Sequence, residues 1–127
     1  MMNQQNYADY LASLSDWHKK MVEEHIADYG EILPHVLVDC ITVPLMDALR
    51  NDCTEWIVKY CAVLEVFWKD GNPEIQNVLE VTILERLTDD AILWRKFGRS
   101  ISSAFRNWIN QEIVPYFRTY LNSIDNL

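Results

Sequence analysis

Apolar residues recur at intervals of three and four along almost the whole chain, with polar residues filling the gaps at the same period, and this pattern predicts helix after helix. The first stretch covers 7–29, with Tyr7, Leu11, Leu14, Met21 and Tyr29 near one face and Gly30 closing it; Ser13 or Ser15 is placed to interrupt it by capping a new helix. A second stretch starts at Pro34 and carries Val36, Leu37, Cys40, Ile41, Leu45, Ala48 and Leu49. Pro44 lies inside it and removes a backbone donor, which predicts a kink or a split there. Asp52 and Glu55 have the spacing of a capping box opening a third helix, whose stripe is Ile57, Tyr60, Cys61, Leu64, Phe67 and Trp68, with Glu55, Lys59, Glu65 and Lys69 opposite.

The run 72–87 is the most apolar of all. Asn72 is a helix cap, Pro73 suits the first helical position, and Glu74 places negative charge at the positive end of the helix dipole. Ile75, Val78, Leu79, Val81, Ile83, Leu84 and Leu87 do not fit one narrow stripe, which predicts a central helix with neighbours on several sides. Leu79, Val81 and Ile83 also alternate with polar residues as a half-buried strand does. The helical patterns on both sides leave such a strand no partner, so helix is the reading adopted. Thr88 is expected to cap a short helix with Ile92, Leu93, Trp94 and Phe97, closed by Gly98. Ser100 is expected to start another with Ile101, Ala104, Phe105, Trp108, Ile109 and Ile113, bent or ended by Pro115; Tyr116, Phe117, Tyr120, Leu121 and Ile124 carry a last amphipathic turn or two.

These elements add up to an all-α protein of six to seven helices. Short connections favour antiparallel helical hairpins stacked on one another, over 34–69 and 73–97, as a short HEAT-like solenoid or an irregular bundle within a single domain spanning 1–127. Half of the 127 residues are hydrophobic, including five Trp, six Tyr and four Phe, enough to build one core. Three Gly and four Pro are too few for a turn-rich sandwich or barrel.

Charge narrows the functional classes. Nineteen acidic residues against eleven basic give a formal net charge of −8, which disfavours direct nucleic-acid binding, since phosphates demand cationic partners. Either the charge serves solubility or it attracts a basic protein. The longest apolar runs fall short of a membrane span, and no charged start followed by an apolar core marks a secretion signal. Cys40, Cys53 and Cys61 are odd in number without paired spacing, so no disulfide framework is expected; Cys40 and Cys61 fit as small buried hydrophobes. A reducing cytoplasm suits such a chain.

Chemistry is scarce. His35 and Asp39, four apart, share a helix face at a spacing that metal ligands use, but no third ligand accompanies them, and a first-turn polar residue is the simpler reading of His35. His18 and His25 also share a face, with Glu24 and Asp28 nearby, the pattern of a solvated charged surface. Ser100, Ser102 and Ser103 have no nucleophile elbow around them, and the three Gly form no phosphate cradle. Glu80 with Glu85, or Asp89 with Asp90, are carboxylate pairs, the latter placed as first-turn dipole partners. No enzyme, metal or cofactor is expected. Trp56, Trp68, Trp94 and Trp108 sit among aliphatics as core residues do. Trp17, among Asp16, His18, Lys19 and Lys20, is the candidate exposed contact.

Two stretches together carry a resemblance. Ile32-Leu33-Pro34-His35-Val36-Leu37-Val38-Asp39 and Asn77-Val78-Leu79-Glu80-Val81-Thr82-Ile83-Leu84-Glu85-Arg86-Leu87 resemble a group of small helical bacterial proteins, the immunity proteins of contact-dependent growth inhibition and other polymorphic toxin systems. Phe97-Gly98-Arg99-Ser100-Ile101 looks like that group's closing motif. The likeness covers about the middle half of the chain; it departs at Val38, where the group usually has Gly, and at Pro44, where an unbroken helix is expected. The resemblance implies a cytoplasmic protein that binds and neutralises a toxin domain delivered by a neighbouring cell. Many such toxins are nucleases with basic clefts, which an acidic surface would suit. The candidate contacts are then Asp39, Glu80, Glu85, Asp89, Asp90 and Trp17. The alternatives are a helical adaptor without a toxin partner and, third, a hydrolase or metalloenzyme built on His35 and Asp39.

Overall fold

The computed structural model describes residues 1–116. Helix α1 (Gln4–Ala12) is closed at its start by a reciprocal box between Asn3 and Asn6. Ser15 then caps α2 (Asp16–Tyr29), its hydroxyl oxygen accepting from the His18 amide at 3.2 Å, so Ser15 makes the interruption within 7–29. Gly30 ends α2 at φ +71°, a left-handed conformation that a side chain resists. The inward face of α2 is His18, Val22 and His25; Tyr29 is about half exposed, and Met21 is only partly covered.

The second helical stretch splits at Val38 and not at Pro44. Helix α3 (Pro34–Leu37) is a single turn, and α4 (Asp39–Arg50) runs through Pro44. The Val38 carbonyl accepts from the Ile41 amide at 2.8 Å and from the Thr42 amide at 2.9 Å, which carries the chain round the split. Helix α5 (Thr54–Asp70) opens differently from expectation: Cys53 holds the cap position with no side-chain bond. Asp52 adopts φ +53° and gives its carboxylate to Lys96 at 2.8 Å, so the capping box with Glu55 does not form.

The apolar run 72–87 is one rod with an altered winding. Asn72 accepts from the Ile75 amide at 2.9 Å, and α6 (Pro73–Asn77) leads into a π-helical segment, Val78–Leu84, and then α7 (Glu85–Thr88). At about 100° per residue, buried positions 75, 78, 79, 83, 84 and 87 would spread over roughly two-thirds of an α-helix. Hydrogen bonds from i to i+5 slow that rotation, and over seven residues they bring the six onto roughly one-third. All six are fully buried, whereas Val81 is 50% exposed. The rod therefore turns one face to the core, and the several-sided burial expected from the sequence is replaced by re-phasing. The strand alternative does not form.

Thr88 ends this rod, its hydroxyl donating to the Glu85 carbonyl at 2.6 Å, and Asp90 caps α8 (Ala91–Arg99) instead. Gly98 lies within α8, buried. Ser102, not Ser100, caps α9 (Ser103–Trp108); its amide and hydroxyl both reach the Glu65 carboxylate of α5. The chain continues as a π-helical segment, Ile109–Ile113, and a 3₁₀ turn, Val114–Tyr116, that contains Pro115. The amphipathic turn expected on Phe117, Tyr120, Leu121 and Ile124 lies outside the described residues.

The fold is all-α, with no strand among the described residues. With α3–α4 and α6–α7 counted as one each, the described residues form seven helices. One buried cluster spans them, from Tyr7 and Leu11 through Ile41, Leu45, Leu64 and Phe67 to Leu84, Trp94, Phe97 and Phe105. Helix α4 packs against both α5 and α8, as stacked hairpins require. Two ties secure the start of the chain: the Tyr7 hydroxyl donates to the Pro34 carbonyl at 2.9 Å, and Met2 bridges Gly71 at the α5–α6 junction. Gly71 sits against the Phe67 carbonyl and Ile75, where a Cβ would collide with backbone.

A candidate binding groove of aromatic side chains

A hollow in this surface lies between α2, α4 and the start of α5. Two cavities of about 390 and 230 Å³ adjoin, sharing Pro44, Trp56 and Tyr60 as floor. The smaller ends at Ser15, Trp17 and His18, the larger at Asp47, Ala48, Asn51 and Cys53. Trp56 and Tyr60 are one helical turn apart on α5 and stack with centroids 5.4 Å apart. Lys59 lies 4.7 Å over the Trp56 ring and donates to the Leu14 carbonyl at 2.7 Å, which fixes the indole against the α1–α2 turn. Trp17 meets His18 edge-on at 4.9 Å and is 48% exposed. The sequence reading offers it as an exposed candidate, and the structure places it exposed at the edge of the smaller cavity.

Beneath Trp17, a chain of polar groups runs from Ser15 through His18 to Tyr60. The Ser15 hydroxyl lies 2.6 Å from His18 Nδ1, and His18 Nε2 lies 3.2 Å from the Tyr60 hydroxyl. Ser15 Oγ already accepts from the His18 amide, so its proton goes to Nδ1, and hydrogen-bond logic assigns the imidazole proton to Nε2. Burial lowers the His18 pKa first and the Lys59 charge lowers it further, while a hydrogen bond to the Cys40 backbone acts the other way. Pro44 explains that last contact: Cys40 lies four residues before it, so its carbonyl lacks the usual helical donor and takes the imidazole instead. Burial also pushes the Tyr60 hydroxyl up to about 12.

His25 is likewise buried, and its Nε2 accepts from the Leu33 amide at 2.9 Å. Burial lowers its pKa, against an upward pull from Asp28. The sequence reading of these two histidines as a solvated face is thus corrected: they form the inward face of α2. Since both pKa values are depressed in the fold, the neutral forms stabilise it. That contribution is full above the ordinary imidazole value of about 6.5 and is lost as pH falls from there through the lower folded values. Thermal unfolding temperature should therefore drop between about pH 7 and about pH 5, and drop less in a His18→Gln, His25→Gln double variant.

As chemistry, the Ser15–His18 pair lacks what nucleophilic catalysis requires. Its hydroxyl is held by an amide, the imidazole is 1% exposed, and its second nitrogen faces a tyrosine and not a carboxylate. His35 and Asp39 go to separate partners: His35 Nδ1 is 2.6 Å from the Thr82 hydroxyl, and Asp39 pairs with Arg86 at 2.9 Å. Both bonds tie α3–α4 to the rod 73–88. Among the described residues no three His, Cys, Asp or Glu converge as for a metal. Cys40 and Cys61 are buried, with thiols pushed up to about 12 by burial, while Cys53 is exposed at the groove's edge.

The expected acidic contacts divide. Arg86 brings Asp39 to the end of the rod that carries Glu85 and Asp89, both exposed. Glu80 is half-buried in the π-helical segment, and Asp90 is committed to capping, accepting from the Ile92 and Leu93 amides at 3.0 and 3.1 Å. A denser acidic surface lies elsewhere. Residues 1–48 hold eight acidic and two basic side chains, against eleven and nine in the remainder. Asp9, Asp16, Glu23, Glu24, Asp28 and Glu31 are all exposed on the α1–α2 layer. Ile26 at 41% and Tyr29 at 51% are exposed beside them. The charge asymmetry between the halves was readable in the sequence; the groove was not, because Pro44, Trp17 and Trp56 come together only through packing.

Residues 11–115 match the family described as a domain of unknown function (DUF7674), and the chain belongs to that family. No curated protein and no solved structure matches it. Among the described residues no helix is long and apolar enough to cross a membrane.

Proposed function

We propose that this DUF7674 chain is a protein-binding module that recognises a basic partner through its α1–α2 layer, and that the partner is a toxin domain which it neutralises in the bacterial cytoplasm. The observation that carries the first part is the exposed acidic face of α2, Asp16, Glu23, Glu24 and Asp28, interspersed with exposed Trp17, Ile26 and Tyr29. Carboxylates steer and orient a cationic partner, and desolvated aromatic and aliphatic side chains hold it. The second part rests on the likeness of 32–39 and 77–87 to immunity proteins. Asp39, Glu85 and Asp89 form a second acidic edge for the same partner.

The test is co-expression with the toxin domain encoded beside this gene. Protection of the host and a co-purifying complex are expected. A Glu23→Lys, Glu24→Lys, Asp28→Lys variant should fold and lose affinity by about 100-fold or more, since three favourable contacts become repulsive. Neither protection nor a complex with the unaltered protein would sink the toxin reading and leave an adaptor for another protein.

A further inference from the structure

We propose that the groove between α2, α4 and α5 seats a bulky apolar side chain from a basic amphipathic segment of a partner protein, with the segment's Lys and Arg side chains lying along the carboxylates of the α1–α2 layer. The choice of a protein as occupant rests on the reading of the chain as a protein-binding module.

The groove's chemistry selects the anchor. Its floor is Pro44, Ala48, Trp56 and Tyr60, and at its inner end Ser15 and Tyr60 each bond a ring nitrogen of His18. A polar guest would give up its hydration against a mostly aromatic and aliphatic floor, whereas an apolar side chain loses nothing and covers indole surface. Lys59 already occupies one face of Trp56, so a second cation stacked there is disfavoured. The inner cavity, about 230 Å³, is smaller than small-molecule sites and the outer, about 390 Å³, is near their lower end, so each can take a side chain.

The surroundings select the rest of the segment. Trp17, Met21, Glu24 and Asp28 follow one another at spacings of four, three and four, so they line one face of α2 leading away from the groove, with exposed Lys20 on that face 3.9 Å from Glu24 as the cation a basic segment would displace. An apolar end followed by carboxylates is the complement of a segment with an apolar anchor followed by basic residues. A second copy of this chain would bring another acidic α2 face to the same place, and two net charges of −8 repel.

The experiment measures binding of two labelled synthetic peptides of equal charge, one alternating Lys with Leu at helical spacing and one with Ser replacing Leu. It uses the full chain, a Trp17→Ala variant and an Asn51→Trp variant that fills the groove from its exposed edge. The Leu peptide should bind at least about 10-fold tighter than the Ser peptide, and each variant should weaken it by about 10-fold. Circular dichroism checks the fold, and if one variant misfolds the other decides. Equal binding of the two peptides, or affinity untouched by the folded variants, overturns the assignment. So does a dimer of the unaltered chain that Asn51→Trp dissociates, which makes a second copy the occupant. Toxin protection that survives both groove variants overturns the groove alone; Leu-peptide binding without toxin protection overturns the toxin reading alone.

Discussion

Ile83→Asp should leave the chain unfolded in ordinary buffer, whereas Val81→Asp, two residues earlier in the same apolar run, should fold with stability within about 0.5 kcal/mol of the original. Both are β-branched aliphatics in the π-helical segment Val78–Leu84, and the hydrophobic pattern alone does not separate them. The winding does: Ile83 is 0% exposed and Val81 50%. At Ile83 the loss of aliphatic burial, about 2–5 kcal/mol, adds to the cost of an unpaired carboxyl in the core. The sum is comparable to the whole stability of a domain, about 5–15 kcal/mol. Urea unfolding followed by circular dichroism reads both outcomes. Equal damage from the two substitutions would mean that the run is buried on all sides and that the π winding does not form.

Phe67→Ala should cost about 3–5 kcal/mol, seen as a lower urea midpoint with an unchanged slope. Phe67 is fully buried near the end of α5, with Tyr7 at 5.4 Å and Tyr10 at 6.3 Å between ring centroids. Those two rings come from α1, so the cavity would open under the first helix and loosen the layer that carries the acidic face. Its backbone matters as well, because the Phe67 carbonyl accepts from the Gly71 amide at 3.1 Å where the chain turns into the rod 73–88. Phe67→Leu, which keeps most of the volume, should cost less than half as much. A similar loss from both would point to backbone disruption at that turn and not to the missing ring.

Particular elements show how far local pattern reaches. Asn72 with Pro73, and Gly30 after α2, behave as their residue types dictate, because a cap is decided by the few amides or carbonyls beside it. Asp52, Thr88 and Ser100 do not cap the helices expected of them. Each has a competitor within two residues, and in two of the three cases a tertiary contact bears on the outcome: Lys96 draws away Asp52, and Glu65 fixes Ser102. Asp90 wins over Thr88 by reaching two amides at once. Of the expected contact residues, Trp17 has a groove beside it and Asp39, Glu85 and Asp89 are exposed, while Asp90 is drawn into capping and Glu80 half-buried.

By itself the sequence determined an all-α chain, the approximate extent of its helices and its acidic balance, because these follow from residue type and spacing over a few neighbouring turns. Only the tertiary structure decided which way the helices face. Burial of His18 and His25 depends on α2 packing against α5 and the chain before α3, which also brings the His18 imidazole to the Cys40 backbone, one turn before Pro44. The groove itself is a place where three helices fail to close over Trp56, and a gap between elements distant in sequence leaves no periodic mark on any one of them.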